Sequence, residues 1–206
     1  MKILAAHVIF SSYGFWLPND PRGSWSDFVG AWELVRFGKA TKVTTHRSVA
    51  KVSHDGNLRQ EAKRASKYPP VRLSGIQARE IGRGFGRAVA EGGYSIFACA
   101  ILHDHVHLIV EPHVRTIEQI VSHLKARASR QLRSEGLHPF ASLARDDGSL
   151  PSVWSEGLWK VYCRDESHVR SAIRYVERNP GREGCRSQRW RFVTEAPLDA
   201  PRRQGG

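Results

Sequence analysis

Residues 101–110 read Ile-Leu-His-Asp-His-Val-His-Leu-Ile-Val, and this stretch decides how the rest of the chain can be arranged. From residue 105 onward polar and apolar residues alternate, which predicts a strand with Val106, Leu108 and Val110 on one face. Side chains two positions apart on a strand share a face, so His105 and His107 are expected side by side, roughly 6.5 to 7 Å apart at the backbone. Because the aliphatic residues already supply a face for the core, the histidine pair must be solvated or must bind a metal ion or a phosphate.

The segments on either side of this strand predict a regular succession of strands and helices. Residues 94–102 are an apolar run of strand formers, joined to the histidine strand by a short turn. A first strand is predicted over residues 5–13 and a last one over 159–164; helices are predicted over 74–91, 116–133 and 166–178. This order predicts an α+β fold, a ferredoxin-like sandwich whose central antiparallel sheet carries the histidine strand and has helices packed on it.

Residues 24–70 interrupt this pattern. They show little strand alternation and carry several aromatic residues and a basic run, which predicts an insertion that is part helix and part loop. Two interpretations remain open, a solvated flap that packs its aromatic rings on the core and a clamp for nucleic acid. We expect residues 1–195 to form a single domain with this insertion, and residues 196–206 to form a disordered tail.

The charge of the chain points to a polyanionic partner. Among 206 residues, 32 Lys and Arg stand against 20 Asp and Glu, a formal net charge of +12, which favours nucleic acid over an anionic membrane surface. No apolar run approaches the roughly 20 residues of a membrane-spanning helix. The three cysteines are scattered, with neither a zinc-type spacing nor a disulfide framework, which is typical of a cytoplasmic protein.

The last predicted helix carries a tyrosine at the edge of its buried stripe. Val169, Ala172, Ile173 and Val176 make that stripe, and Tyr175 lies about 100° away from it. Asn179 follows one turn later, on the same side as Tyr175. The spacing alone also fits a boundary tyrosine and an asparagine that ends a helix before Pro180.

Basic and aromatic side chains around these elements are candidates for contacts with a single DNA strand, in which Lys and Arg bind phosphates and rings stack on bases. Four lie on the polar side of helix 116–133, and four lie on strand 159–164 or on the helix that contains Tyr175. They are Lys125, Arg127, Arg130, Arg133, Trp159, Lys160, Arg164 and Arg174. For each residue taken singly, ordinary surface charge or core packing is the favoured interpretation, whereas for the set the net charge favours DNA contacts.

A histidine pair with a tyrosine fits phosphodiester chemistry. A phenol can attack phosphorus in line and expel a sugar hydroxyl, provided that a divalent ion polarises the phosphate and offsets the charge that develops on oxygen. The phosphotyrosine that forms conserves the bond energy, so that a strand can be cut and rejoined without ATP.

These residues resemble the single-tyrosine HUH transposases, the IS200-like and REP-associated tyrosine transposase-like group. The resemblance rests on ILHDHVHLIV at residues 101–110, on YVERNP at 175–180, on VIFSSYGFWLPNDPRG at 8–23 and on VWSEGLWKVYCR at 153–164. It implies that His105, His107 and Asn179 bind Mg²⁺ or Mn²⁺ and that Tyr175 is the nucleophile. It further implies cleavage and rejoining of single-stranded or hairpin DNA through a 5′-phosphotyrosine, by a monomer or a homodimer.

The sequence departs from the family pattern at two positions, and two other functions are also open. Asp104 and His103 stand where relatives often carry Asn and Pro, so His103 is either an additional ligand or a turn residue. The chain could instead be a nucleic-acid-binding relative that does not cleave, or a metal-dependent phosphoesterase in which the histidine pair activates water and Tyr175 has no role.

Overall fold

The computed structural model describes residues 2–15, 32–38 and 55–198. Its strands are β1 (Ala5–Ser11), β2 (Ile96–Ile101), β3 (His105–Val110) and β4 (Trp159–Cys163). Its α-helices are α1 (Gly56–Ala65), α2 (Gly75–Gly92), α3 (Ile117–Ser134) and α4 (Glu166–Arg182), with short 3-10 helices at Trp32–Phe37 and Ala141–Leu143. Residues 16–31, 39–54 and 199–206 lie outside the described residues, and with them much of the predicted insertion and tail.

The strands form one antiparallel sheet in the order β2-β3-β1-β4. Since α2 connects β1 to β2 and α3 connects β3 to β4, this is the β-α-β-β-α-β arrangement of a ferredoxin-like sandwich, with α4 added after the last strand. The predicted α+β fold and its ferredoxin-like sheet are confirmed. The observed strands are shorter than predicted by one to three residues.

One face of the sheet, here called the apolar face, packs against α2 and α3. Ala6, Val8 and Phe10 of β1 join Val106, Leu108 and Val110 of β3 there, and none of these side chains is more than 2% exposed. The two helices begin at capping boxes, Ser74 with Gln77 and Thr116 with Gln119, which satisfy the first backbone N–H groups. The two helices cross so closely that a Cβ on Gly84 would lie 2.7 Å from the Ala128 Cα.

The opposite face, here called the histidine face, packs against α4. Val169, Ala172 and Val176 of α4 pack there against Ala5 of β1 and Ile109 of β3. The expected helix end at Arg178 is wrong, because α4 continues through Pro180 to Arg182. Proline removes one backbone N–H, but the N–H of Glu183 still donates to the Asn179 carbonyl and completes the last turn.

Residues 188–194 lie along the outer edge of β2. The Gln188 amide both accepts from the Ile101 N–H and donates to the Ile101 carbonyl, at 2.9 and 2.7 Å, and the N–H of Thr194 donates to the Ile96 carbonyl. Trp190 packs on α2 at Gly82, where a Cβ would lie 2.1 Å from the indole. The segment therefore covers an edge that would otherwise present unpaired backbone groups.

None of the helices in the described ranges combines the length and the apolar composition needed to cross a lipid bilayer.

Candidate functional site

Alternation along the strands brings three histidines together on the histidine face. His105 and His107 of β3 have ring centroids 4.8 Å apart, and His7 of β1 lies edge to edge with His107, with centroids 5.3 Å apart. The β1–β3 register, with Ile9 opposite His107, produces this grouping, since His7 then lies diagonally across from His107 on the same face. His7 could not be identified from the sequence, because the strand pairing is needed to show that it lies on the same face as His105 and His107.

His105 is held by two neighbours. Its Nδ1 lies 2.7 Å from the Asp104 Oδ1, and the Phe15 ring stacks on the imidazole with centroids 5.2 Å apart. An ionised carboxylate only accepts hydrogen bonds, so the proton of a neutral His105 is on Nδ1 and its Nε2 keeps a free lone pair. Asp104, a departure from the family pattern, therefore orients a proposed metal ligand in the way that carboxylates commonly do.

His107 is buried and pairs with His7. The two rings meet through Nδ1 of His107 and Nε2 of His7, 3.0 Å apart. Burial, with smaller contributions from His105 and His7, lowers the pKa of His107 well below its usual range. Burial and, less strongly, His168 lower the pKa of His7 to about 4. Both rings are therefore neutral at physiological pH, and one donates a single hydrogen bond to the other.

Tyr175 lies against this cluster within the same chain. Its ring centroid is 5.7 Å from that of His107 and 5.8 Å from that of His7, both in edge-to-face arrangements. The side chain is nevertheless 42% exposed, so a large substrate can reach it. The guanidinium of Arg182, two turns further along α4, lies over the tyrosine ring at 5.4 Å. Arg182 is a second residue that the sequence analysis missed, because the helix was expected to end before it.

Asn179 follows Tyr175 by one turn of α4 and is only 5% exposed. In the described part of the chain its side-chain amide has no hydrogen-bond partner, so the amide oxygen is available to a ligand. Two imidazole nitrogens and one amide oxygen suit a divalent ion with open positions, and imidazole ligands favour Mn²⁺ over the harder Mg²⁺. Within residues 2–15, 32–38 and 55–198, no group of three or more His, Cys, Asp and Glu side chains could hold a metal ion.

His103 is used elsewhere. Its Nδ1 lies 3.0 Å from the Leu73 carbonyl, to which it donates, and its Nε2 lies 3.5 Å from the Cys185 Sγ. Both ring nitrogens therefore have protein partners, which favours the turn residue over the additional ligand.

The predicted DNA-contacting residues lie on different faces of the sheet. Trp159 on β4 lies at the cluster, 5.5 Å from His7 between ring centroids, whereas Lys160 has the opposite parity on β4 and forms an ion pair with Glu118 of α3 at 2.5 Å. Arg174 is exposed on α4, next to Tyr175 in sequence, Arg164 is exposed just after β4, and Arg130 and Arg133 are exposed on α3.

Two of the basic residues on α3 are committed to contacts within the protein. The Lys125 ammonium donates to the carbonyls of Ser155 and Gly157 at 2.8 and 3.0 Å, and burial lowers the pKa of Lys125 to about 8. Arg127 forms an ion pair with Glu91 at 2.6 Å, which ties α3 to the end of α2. These two side chains hold the fold together rather than project into solvent.

Comparisons with known proteins agree with the resemblance of the sequence. The sequence model of the family described as "Transposase IS200 like" matches residues 67–179, more than half of the chain. No curated protein sequence matches significantly. Among solved structures, one described as a REP-associated tyrosine transposase bound to a REP hairpin is 12% identical, with a TM-score of 0.46 over 89% of this chain and 70% of that one. Another, described as a putative transposase from Deinococcus radiodurans R1, is 13% identical, with a TM-score of 0.36 over 90% and 95% of the two chains.

Proposed function

Because this chain belongs to the family of IS200-like transposases, we propose that it is a metal-dependent DNA strand transferase that cleaves and rejoins single-stranded or hairpin DNA through Tyr175. The observation that carries the proposal is the contact of an exposed phenol with two imidazoles of the same chain, 5.7 Å from His107 and 5.8 Å from His7 between centroids. Such a site is assembled in cis and needs no residue from a second copy.

In the proposed reaction the Tyr175 oxygen attacks the scissile phosphorus in line. The new O–P bond forms as the bond from phosphorus to the 3′ oxygen breaks, and the phenol proton is lost while the departing 3′ oxygen gains one. The products are a 5′-phosphotyrosine and a free 3′-hydroxyl, and attack by a 3′-hydroxyl reverses the step and rejoins a strand.

The residues around Tyr175 have separate proposed roles. His105, His107 and Asn179 hold the divalent ion, Mn²⁺ or Mg²⁺, which when bound polarises the phosphate and offsets charge on its oxygens. The Arg182 guanidinium, which lies over the ring, stabilises the phenolate and the phosphate that approaches it. Arg164 and Arg174 bind backbone phosphates, and Trp159 offers a surface for a base.

The decisive experiment incubates a labelled hairpin oligonucleotide that has a single-stranded flank with the full chain and Mn²⁺ or Mg²⁺. We expect label to stay with the protein on a denaturing gel, and mass spectrometry to place the nucleotide on Tyr175. Tyr175→Phe should abolish the adduct. Tyr162→Phe is the matched control, since Tyr162 is 38% exposed and should leave the adduct unchanged.

The same experiment separates the other two functions. Cleavage that persists in Tyr175→Phe without an adduct would replace the proposal by a phosphoesterase that activates water. Binding of the hairpin with no cleavage by the unmodified chain would identify a relative that binds DNA without cutting it.

A further inference from the structure

We infer that His7 is a positioning residue, which accepts a hydrogen bond from His107 and thereby fixes the tautomer and orientation in which His107 presents Nε2 to the metal. The inference rests on the proposed function for the role of His107, and on the geometry of His7 for the rest. His7 lies on β1, outside the residues to which the family resemblance assigns a role.

The hydrogen bond itself leaves two possibilities. Nδ1 of His107 and Nε2 of His7 are 3.0 Å apart, and one proton lies between them. If His7 donates, the proton of neutral His107 is on Nε2, and that atom has no lone pair for a metal. If His107 donates, its proton is on Nδ1 and Nε2 is free. A metal-binding His107 therefore requires His7 to be the acceptor.

Packing fixes the ring of His7 beside His107. The two rings lie edge to edge with an interplanar angle of 28°, and Trp159 and Tyr175 make edge-to-face contacts with His7 at 5.5 and 5.8 Å between centroids. His107 is only 3% exposed, so water cannot easily replace His7 as the partner of Nδ1. Without His7, Nδ1 of His107 loses the acceptor of its proton, which favours the tautomer with the proton on Nε2, where it blocks the lone pair.

The two proposed metal ligands thus each donate a hydrogen bond from Nδ1 to a different neighbour. Asp104 accepts from Nδ1 of His105 at 2.7 Å, and His7 accepts from Nδ1 of His107. In both imidazoles Nε2 is left for the ion, and both rings are aimed by a partner outside the set of metal ligands. Contact with the Tyr175 ring gives His7 a second task, since it holds the nucleophile beside the histidine that it orients.

The first test needs neither metal nor DNA. In long-range ¹⁵N–¹H spectra of the metal-free full chain, assigned by single His→Gln variants, we expect His107 with its proton on Nδ1. His7→Gln should keep this pattern, because the Gln carbonyl can accept the same hydrogen bond. His7→Phe and His7→Leu should lose it. His107 with its proton on Nε2 in the unmodified chain would overturn the inference, whatever the variants do.

The second test measures the affinity for Mn²⁺ alone, by calorimetry and by the electron paramagnetic resonance signal of free Mn²⁺. His7→Phe and His7→Leu should weaken binding by about 10- to 100-fold, with His7→Gln close to the unmodified chain. His113→Phe is the matched control, since His113 lies after β3, packs on Tyr94 and does not contact the cluster. Equal Mn²⁺ affinity in His7→Phe and the unmodified chain would overturn the inference.

These outcomes are distinct from failure of the proposed function. A DNA adduct that does not depend on Tyr175 would end the proposed function while the spectrum of His107 still decides the role of His7. Conversely, a wrong tautomer of His107 would end the inference about His7 while the adduct on Tyr175 could still form.

Discussion

The two faces of the sheet use the same strands for opposite purposes. On the apolar face, Val106 and Leu108 of β3 are fully buried against two helices. On the histidine face, His107 of the same strand contacts Tyr175 of α4, whose side chain is 42% exposed, and His105 lies next to His107. Stability and chemistry are thus separated by a single step along a strand, because successive side chains point to opposite faces. Neighbouring substitutions should therefore have unlike effects.

The largest effect is expected on the histidine face. His107→Ala should reduce formation of the DNA adduct by about 1,000-fold or more, since a lost metal ligand removes several kcal/mol of transition-state stabilisation. Because His107 is only 3% exposed, the variant also loses stability, so the rate loss is measured per folded molecule, from single-turnover rates with the labelled hairpin. His113→Ala serves as the control. A variant that still forms the adduct at a near-normal rate would show that the two faces do not divide the tasks in this way.

The adjacent residue should show the reverse. Leu108→Ala leaves a cavity between the sheet and the two helices and should cost about 2–5 kcal/mol of unfolding free energy. Urea unfolding followed by circular dichroism measures this cost. Adduct formation per folded molecule should be unchanged, and a rate loss as large as that of His107→Ala would break the comparison.

The apolar face could be predicted from the sequence almost completely. Alternation in β3, the capping boxes at Ser74 and Thr116 and the order of elements are local signals, and they determine which residues face the core. The cover on the β2 edge by Gln188 and Trp190 was not predictable, because it depends on a distant segment that has no periodicity of its own.

The histidine face could be predicted only in part. His105, His107 and Tyr175 stand out through spacing and resemblance, and the structure places them in contact. His7 and Arg182 join them through the β1–β3 register and through a helix that runs past a proline, and neither is a local property of the sequence. The commitment of Lys125 and Arg127 to partners within the fold also depends on tertiary contacts.

A smaller effect is expected where the helices of the apolar face cross. A Cβ at Gly84 would lie 2.7 Å from the Ala128 Cα and 2.8 Å from the Arg127 carbonyl oxygen, and these backbone atoms cannot move aside. Gly84→Ala should cost about 1–3 kcal/mol. Gly86→Ala, in the same helix, meets only the Phe192 ring at 3.6 Å and should be neutral or stabilising through helix propensity. Similar unfolding free energies for the two variants would contradict a close helix crossing.

The buried carboxylate of the apolar side should make stability depend on pH. Burial alone would raise the pKa of Glu80, but hydrogen bonds from Gln131, Arg79 and Arg83 outweigh it and hold the pKa below its usual range. Because the pKa is lower in the folded state, this stabilisation is present above the unfolded pKa and is lost as pH falls through the folded one. Glu80→Gln should flatten the acid limb of a plot of stability against pH, whereas Glu177→Gln, at an exposed position of α4, should not. Equal acid limbs for Glu80→Gln and the unmodified chain would show that the carboxylate contributes nothing.

The smallest expected effect is on DNA affinity and its salt dependence, and it tests which face of the sheet binds the DNA. Arg174 is exposed on α4, and its guanidinium contacts only the Ser171 hydroxyl at 3.4 Å among the residues that the structure describes, whereas Arg127 on α3 is paired with Glu91. If the DNA strand lies along the histidine face, Arg174→Ala removes one phosphate contact. This loss should lower the affinity for the hairpin a few-fold and reduce the slope of log K against log salt by about 0.7. Arg127→Ala should leave that slope unchanged, because its charge is already neutralised within the protein. Fluorescence anisotropy over a series of salt concentrations measures both variants. A slope that changes for Arg127→Ala and not for Arg174→Ala would place the DNA on α3, because the salt slope counts the phosphates that a basic side chain neutralises.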